Sequence, residues 1–361
     1  MLNLKNKQKL KKAFEKVLLS GNFILGQEVE GFEKAFAKYL GVKYCIGVGN
    51  GLEALQISLM ALGVGKDVEV ITTPISAAAT TLAIMAVGAK PVFVDTDQNG
   101  LIDSQKIQPA INNKTKAILP VHLYGNSVDL KKIKDTCKKR GLFLIEDAAQ
   151  AHGSKFNGKY LGTFGDVGCF SFYPTKNLGA LGDGGAIVTD NKDLAETCLQ
   201  IRDYGQKEKY VHTRYGLNSR LDEIQAAILK IKLVELDKNN QKRQKLTKRY
   251  IKNLSRIKKI HLVLPQNIDD ANFHLFVIRV KNRNQLRKHL QQAGIQTLIH
   301  FPTIIPDQPF LKPLYKNLYL PVAKEFVKTC LSLPLNPQMS FKEIDFVSAK
   351  IIEFYTKRIV I

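Results

Sequence analysis

Tryptophan is absent from this chain of 361 residues, and its five cysteines (Cys45, Cys137, Cys169, Cys198 and Cys330) lie far apart with no CxxC pair. An odd, scattered set excludes a disulfide framework and a tetrahedral zinc site, so no metal is expected and a reducing, cytoplasmic setting is. Long apolar runs are missing as well. None reaches the roughly 18 residues that a membrane-spanning helix requires. The nearest, ISAAATTLAIMAVGA over 75–89, is shorter and carries threonines, which points to a buried helix. The opening MLNLKNKQKLKKAFEKVLL has basic residues at helical spacing but neither the apolar core nor the cleavage site of a signal peptide. No membrane partner is expected.

Acids are scarce. Lys and Arg number 54 against 32 Asp and Glu, a formal charge of +22. Such an excess attracts nucleic acid, anionic membranes or phosphorylated ligands. Much of it is local, with ten Lys or Arg and no acid between Lys238 and Lys259. That stretch has a single aromatic residue, Tyr250, which is no interleaved set for base stacking, and no nucleic-acid-binding motif. Its plainer reading is a solvated helix face, and nucleic acid is not the expected partner. Apolar residues at 45% and charged residues at 24% fit a soluble globular protein, long enough for one large or two unequal domains.

What the chain does have is alternation. YCIGVG (44–49), EVITT (69–73), KPVFVD (90–95), KAILPVHLYG (116–125), LFLIEDA (142–148), GCFSFY (168–173) and GAIVT (185–189) read as strands. Helices are expected over 4–20, 29–41, 52–63, 77–88 and 129–141, with a long helical stretch over 220–255. Short apolar strands alternating with amphipathic helices make an α/β fold, a mainly parallel sheet sandwiched by helices. From about 260, shorter strands (HLVLP, HLFVIRV) and helices (RNQLRKHLQQAG, FKEIDFVSAKIIEFY) suggest a smaller C-terminal α+β domain. The expected division is a large domain over 1–240 and a small one over 241–361.

In an open parallel sheet, ligands sit at the carboxyl ends of the strands. Four segments fall there: GNGLEAL, HLYG, EDAAQAHG and YPTKNLGALGDGG. In the first, the amides of Gly51 and Leu52 open a helix, either as an anion site or as a plain tight turn. In FLIEDAAQAHG (143–153), Glu146 and Asp147 reach a strand end, with Gln150 three residues beyond Asp147. Asp147 is either a carboxylate that keeps a ligand cation protonated or a helix N-cap. Lys176 then stands before a run of glycines in SFYPTKNLGALGDGGAIVT (171–189). It is either an exposed turn lysine or an amine whose proton affinity is lowered by burial, available as nucleophile or base. The order of parts favours the second reading: an anion-binding turn, a strand-end acid, then Ser171 five residues before the lysine. A phosphate, a basic ring nitrogen and an aldehyde need those partners, and pyridoxal 5'-phosphate (PLP) carries all three.

These segments, with AKPVFVD, PVHLYG, YGLNSRLDEIQAAIL, IHFP and LSLPL in the same order over residues 24–335, resemble the DegT/StrS family. Its members are PLP-dependent nucleotide-sugar aminotransferases of aspartate-aminotransferase fold. The resemblance implies that Lys176 carries the cofactor aldehyde as a Schiff base and then shuttles a proton. Asp147 would hold the pyridine nitrogen protonated, and Gln150 would lie near the ring and its phenolic oxygen. Ser171, Gly51 and Leu52 would bind the phosphate, and Asn218 would reach it from a neighbouring subunit, in a homodimer with shared active sites. His300 and Arg220 would line the sugar-nucleotide side. The implied reaction moves an amino group, by family habit from L-glutamate, to a nucleotide-linked 3- or 4-keto-6-deoxyhexose. It would serve amino-sugar biosynthesis for surface polysaccharides such as the O-antigen of lipopolysaccharide.

Three positions depart from the family pattern. Ala77 stands about where an aromatic residue usually stacks on the ring, and Pro306 and Asn336 stand where histidines are common. Leu52, where many members carry threonine, resembles the 3-amino-sugar branch. A sugar dehydratase of the family would carry histidine in place of Lys176, and the complete Lys–Asp–Ser set argues against a PLP-binding regulator that has lost catalysis.

Overall fold

The computed structural model describes residues 6–356. Two amphipathic helices, α1 (Lys7–Ser20) and α2 (Gln27–Leu40), come first. Positions 4 and 5 of the helix expected over 4–20 lie outside the described residues. The alternating region then runs β1 (Tyr44–Val48), α3 (Gly51–Ala61), β2 (Glu69–Thr72), α4 (Ala78–Ala86), β3 (Lys90–Phe93) and α5 (Ser104–Ala110). It continues through β4 (Thr115–Leu119), α6 (Leu130–Arg140) and β5 (Phe143–Asp147). A two-residue ribbon, β6 (Lys155–Phe156) with β7 (Lys159–Tyr160), precedes β8 (Val167–Ser171) and β9 (Gly185–Thr189).

Seven strands form one sheet in the order β1-β9-β8-β5-β4-β2-β3. β9 pairs antiparallel with both β1 and β8, while the pairings from β8 through β5, β4 and β2 to β3 are parallel. Six strands therefore point one way and β9 alone points back. Its first residue, Gly185, is in register with Val48, the last of β1, and with Ser171, the last of β8. One reversed strand thus draws two strand ends together across a residue without a side chain.

Both faces of the sheet are covered, as near-continuous apolar strands require. On β8, Phe170 joins a core with Phe32, Phe36 and Phe172, while Val167 and Cys169 join the opposite core with Leu55, Ile57 and Ile145. The chain leaves the sheet through α7 (Lys192–Arg202), a ribbon of β10 (Gln206–Glu208) and β11 (Val211–His212), then α8 (Glu223–Leu233) and α9 (Leu236–Leu254). The single helical stretch expected over 220–255 is therefore two helices. Leu236 of α9 belongs to the large core, whereas Leu246, Tyr250 and Leu254 belong to a third. That third core is completed by β12 (His261–Val263), β13 (Phe276–Arg279), α10 (Arg283–Gln292), β14 (Cys330–Leu333) and α12 (Phe341–Thr356), with α11 (Pro321–Thr329) before β14. β12, β13 and β14 form an antiparallel three-stranded sheet.

The strand expected over 116–125 stops at Leu119. Pro120 follows, and the backbone then closes into a short turn in which Tyr124 and Gly125 have φ of 63° and 91°. No strand accommodates that left-handed geometry. The lysine-rich face of α9 is exposed at Lys238, Lys242, Lys245 and Lys252, while its buried Arg243 donates to the carbonyls of Phe273, His274 and Leu335. All five cysteines are free and buried. Among the described residues, no helix is long and apolar enough to cross a membrane, and no group of His, Cys, Asp and Glu is arranged to hold a metal ion.

Candidate active site

β1, β5 and β8 end at the same edge of the sheet. After β1, Asn50 caps α3, its side-chain oxygen accepting from the Glu53 amide at 2.9 Å. Gly51 and Leu52 supply the first amides of that helix, the end where the dipole favours an anion. Gly51 lies directly against Ser171: a Cβ there would stand 2.6 Å from Ser171 Cβ and 3.2 Å from its Oγ. Gly185 is equally confined, since a methyl would collide with the Asn50 carbonyl. Glycine at 51 and 185 is what lets the helix start and the Ser171 hydroxyl form one concave cradle.

β5 delivers two carboxylates to opposite surroundings. Glu146 is fully buried and saturated. Its Oε1 accepts from the Phe164 and Gly165 amides at 2.6 and 2.8 Å, and its Oε2 accepts from Gly162 at 2.9 Å and meets His122 Nε2 at 3.0 Å. Despite its burial, these partners hold it below the usual carboxylate range. Asp147 is 4% exposed and has fewer donors, Thr80 Oγ1 at 2.8 Å and the Ala149 amide at 3.1 Å. Burial raises its pKa, with Thr80, Ala149, Lys176 and His122 only partly opposing. An incompletely satisfied carboxylate at a sheet edge favours a cationic partner.

Lys176 follows β8 in a turn closed by its own amide donating to the Tyr173 carbonyl at 2.9 Å. Burial lowers the proton affinity of its amine, and the Asp147 carboxylate opposes the shift. Its charge in turn depresses His152, His274 and His300, so these imidazoles share its surroundings. For each of them burial is the larger cause, and His152 falls to about 3. Gln150 is buried, with its Oε1 accepting from the Tyr124 amide at 2.7 Å, and the Tyr124 hydroxyl donates to the His300 carbonyl. His300 Nδ1 lies 2.9 Å from Ser332 Oγ on β14. Gly51, Leu52, Asp147, Gln150, Ser171, Lys176 and His300 therefore collect at one edge.

Asn218 and Arg220 belong to another cluster. Asn218 is exposed and bridges to Asp203. Arg220 donates to Asp203 Oδ1 at 3.2 Å and lies over the Tyr204 ring. Between them, Ser219 Oγ accepts from the Gly49 amide at 3.1 Å, which ties this segment to the approach of the cradle.

The family model described as the DegT/DnrJ/EryC1/StrS aminotransferase family matches residues 5–352. The chain belongs to this family. It is 46% identical over 349 residues to a dTDP-3-amino-3,6-dideoxy-alpha-D-galactopyranose transaminase of Aneurinibacillus thermoaerophilus, covering 96% of this chain and 95% of that one. It is 43% identical over 353 residues to a pleiotropic regulatory protein of Geobacillus stearothermophilus, covering 97% and 95%. The X-ray structure of S. venezuelae DesV in complex with a ketimine intermediate superposes with a TM-score of 0.95 at 39% identity, covering 97% of this chain and 95% of that one.

For a DegT/StrS family member, the three unusual positions have ordinary places. Ala77 is exposed and precedes α4 without a capping side chain. Pro306 is buried in a short turn whose Ile305 amide donates to the Pro74 carbonyl at 2.8 Å. Asn336 Oδ1 accepts from the Gln338 amide at 2.9 Å. Residues that sequence reasoning did not single out also shape the site: Thr80, His122, Tyr124, His152, Asn177 and His274. His122 and Tyr124 lay inside HLYG, His152 inside EDAAQAHG and Asn177 beside Lys176, all motifs already of interest. The others are distant in sequence and carried no local signal.

Proposed function

We propose that this protein is a PLP-dependent aminotransferase that moves an amino group from an amino acid, L-glutamate, to a nucleotide-linked keto-sugar. The observation that carries the reading is the meeting of a half-buried lysine of lowered proton affinity, an under-satisfied carboxylate and an anion cradle at one sheet edge. These groups fit the cofactor at its aldehyde, ring nitrogen and phosphate respectively. When bound, PLP supplies an electron sink for the carbon that loses its proton.

Each residue then has a task. The α3 amides of Gly51 and Leu52 with Ser171 hold the phosphate. Asp147, steadied by Thr80, stays ionised against the ring cation, and Gln150 stands beside the ring. Lys176 Nζ takes the proton from the donor carbon and returns it one position away, which its lowered pKa permits near neutrality. His300 and Arg220 face the sugar-nucleotide, and the basic balance favours a diphosphate. We read the acceptor as a 3-keto sugar, supported by Leu52 and by the 3-amino product in the name of the Aneurinibacillus relative. The product would enter amino-sugar synthesis for surface polysaccharide. The reading includes a cytoplasmic homodimer in which Asn218 completes the partner's phosphate site, with domains dividing near residue 240.

The Geobacillus relative's name favours a second reading, a regulator. Adding PLP and then L-glutamate to the purified protein separates the two. An aminotransferase acquires a visible absorbance band that glutamate bleaches, and Lys176→Ala slows that bleaching by about 10²–10⁴-fold. No band, or one that glutamate leaves untouched, refutes the enzyme.

A further inference from the structure

Three side-chain amides, the half-buried Asn177 beside Lys176 and the buried Asn240 and Asn272, form a chain with only one possible direction. Asn240 Nδ2 donates to the His152 carbonyl at 2.9 Å, so Asn240 presents its Oδ1. Asn177 Nδ2 donates to that Oδ1 at 2.8 Å and to the Asn272 carbonyl at 3.1 Å, so Asn177 presents its own Oδ1. That oxygen lies 3.1 Å from His274 Nδ1. An oxygen cannot donate, so the proton sits on His274 Nδ1 and the lone pair on Nε2. Asn272 closes the far side, its Nδ2 donating to the carbonyls of Gln150 and His152 at 3.0 Å each and its amide to Ser154 Oγ at 2.9 Å.

The residue after Lys176 is thus tied to α9 through Asn240 and to the segment before β13 through Asn272 and His274. Carbonyls of the segment after Asp147 anchor the other end. The imidazole stays neutral there, since burial and the Lys176 charge both push its pKa down.

We propose that His274 is a positioning residue for Lys176: its Nδ1–H, relayed through the Asn177 amide, fixes where the lysine amine stands. This rests on Lys176 being the reactive amine of the preceding section. A looser loop would leave the amine misplaced by a fraction of an ångström or more, which slows bond formation at it steeply.

Two variants separate the ring nitrogens. His274→Asn keeps a donor at the Nδ1 position, and His274→Gln keeps only a group at the Nε2 position. The readout is the rate at which PLP with borohydride is captured on Lys176, located by mass spectrometry, which requires no amino donor. His274→Gln should slow capture by about tenfold or more, with His274→Asn within about threefold of wild type and both variants melting at similar temperatures. The glutamate half-reaction should follow the same order in kcat with little change in KM. Equal capture by both variants, or ¹⁵N shifts showing His274 Nδ1 without its proton, would overturn the proposal. A wild type captured at Lys176 yet inert toward every amino donor would sink the aminotransferase reading while the capture rates still decide this one.

Discussion

Gly51→Ala tests the cradle at the point where it has no room. The new methyl would sit 2.6 Å from Ser171 Cβ and 3.2 Å from Ser171 Cα. Ordinary carbon contacts need about 3.5–4.0 Å, so the shortfall is about 1 Å. Ser171 cannot yield easily, because β8 is held between β5 and β9 on both sides. The helix start must shift instead, carrying the Gly51 and Leu52 amides with it. Losing one charge-assisted hydrogen bond costs about 1.5–3 kcal/mol, which is about 10- to 100-fold in affinity. The fold itself should change less, since overlap costing about 1–3 kcal/mol is partly offset by about 1 kcal/mol of better helix propensity. Titrating the apoprotein with PLP and with unphosphorylated pyridoxal measures the difference. PLP affinity should fall while pyridoxal affinity holds. Equal losses for both, or no loss for PLP, would refute the placement of the phosphate.

The paired carboxylates and the shared site give three more tests. Burial holds Asp147 above its ordinary pKa, so the unfolded chain releases that proton first and stability falls as pH climbs from the ordinary value to the raised one. Asp147→Asn removes that loss: the cofactor-free protein should melt about 1–3 °C higher at neutral pH while turnover collapses, and a lower midpoint would contradict the assignment. Glu146 is held the other way, so its contribution is present above the ordinary carboxylate range and fades as pH falls through its lowered value. Glu146→Gln can match His122 by moving the ring proton to Nδ1, but it leaves the Gly162 amide facing a donor, a loss of about 1–3 kcal/mol that should shrink in acid. Calorimetry at several pH values reads this, and a pH-independent difference would be against it. Mixing Lys176→Ala with Asn218→Ala subunits, each inactive alone, should restore about a quarter of wild-type activity by random dimer exchange; no recovery would place Asn218 outside the partner's site.

Much of the seven-stranded sheet was legible because its strands are buried on both faces and therefore read as apolar runs. The cradle was legible for a related reason: its glycines and serine lie at strand ends within short motifs. The direction of β9 was not, since an apolar run carries no sign. The break after Leu233 was hidden by unbroken helical residues on both sides. Helices α5, α7 and α11 were not anticipated, though Asp103 and Asn191 cap the first two. Thr80 as the partner of Asp147, and the Asn177–His274 contact, depend on residues 67 and 97 apart, which one-dimensional spacing does not report.

The turn bearing Lys176 is fastened by bonds that reach 63 and 97 residues onward. A growing chain that has finished its seven-stranded sheet already holds the anion cradle and both carboxylates. It still lacks Asn272 and His274, and contacts this far apart in sequence form late. On the proposed role of His274, the amine is set in place only when the segment bearing Asn272 and His274 closes over it, so residues made well after the sheet ready the first chemical step.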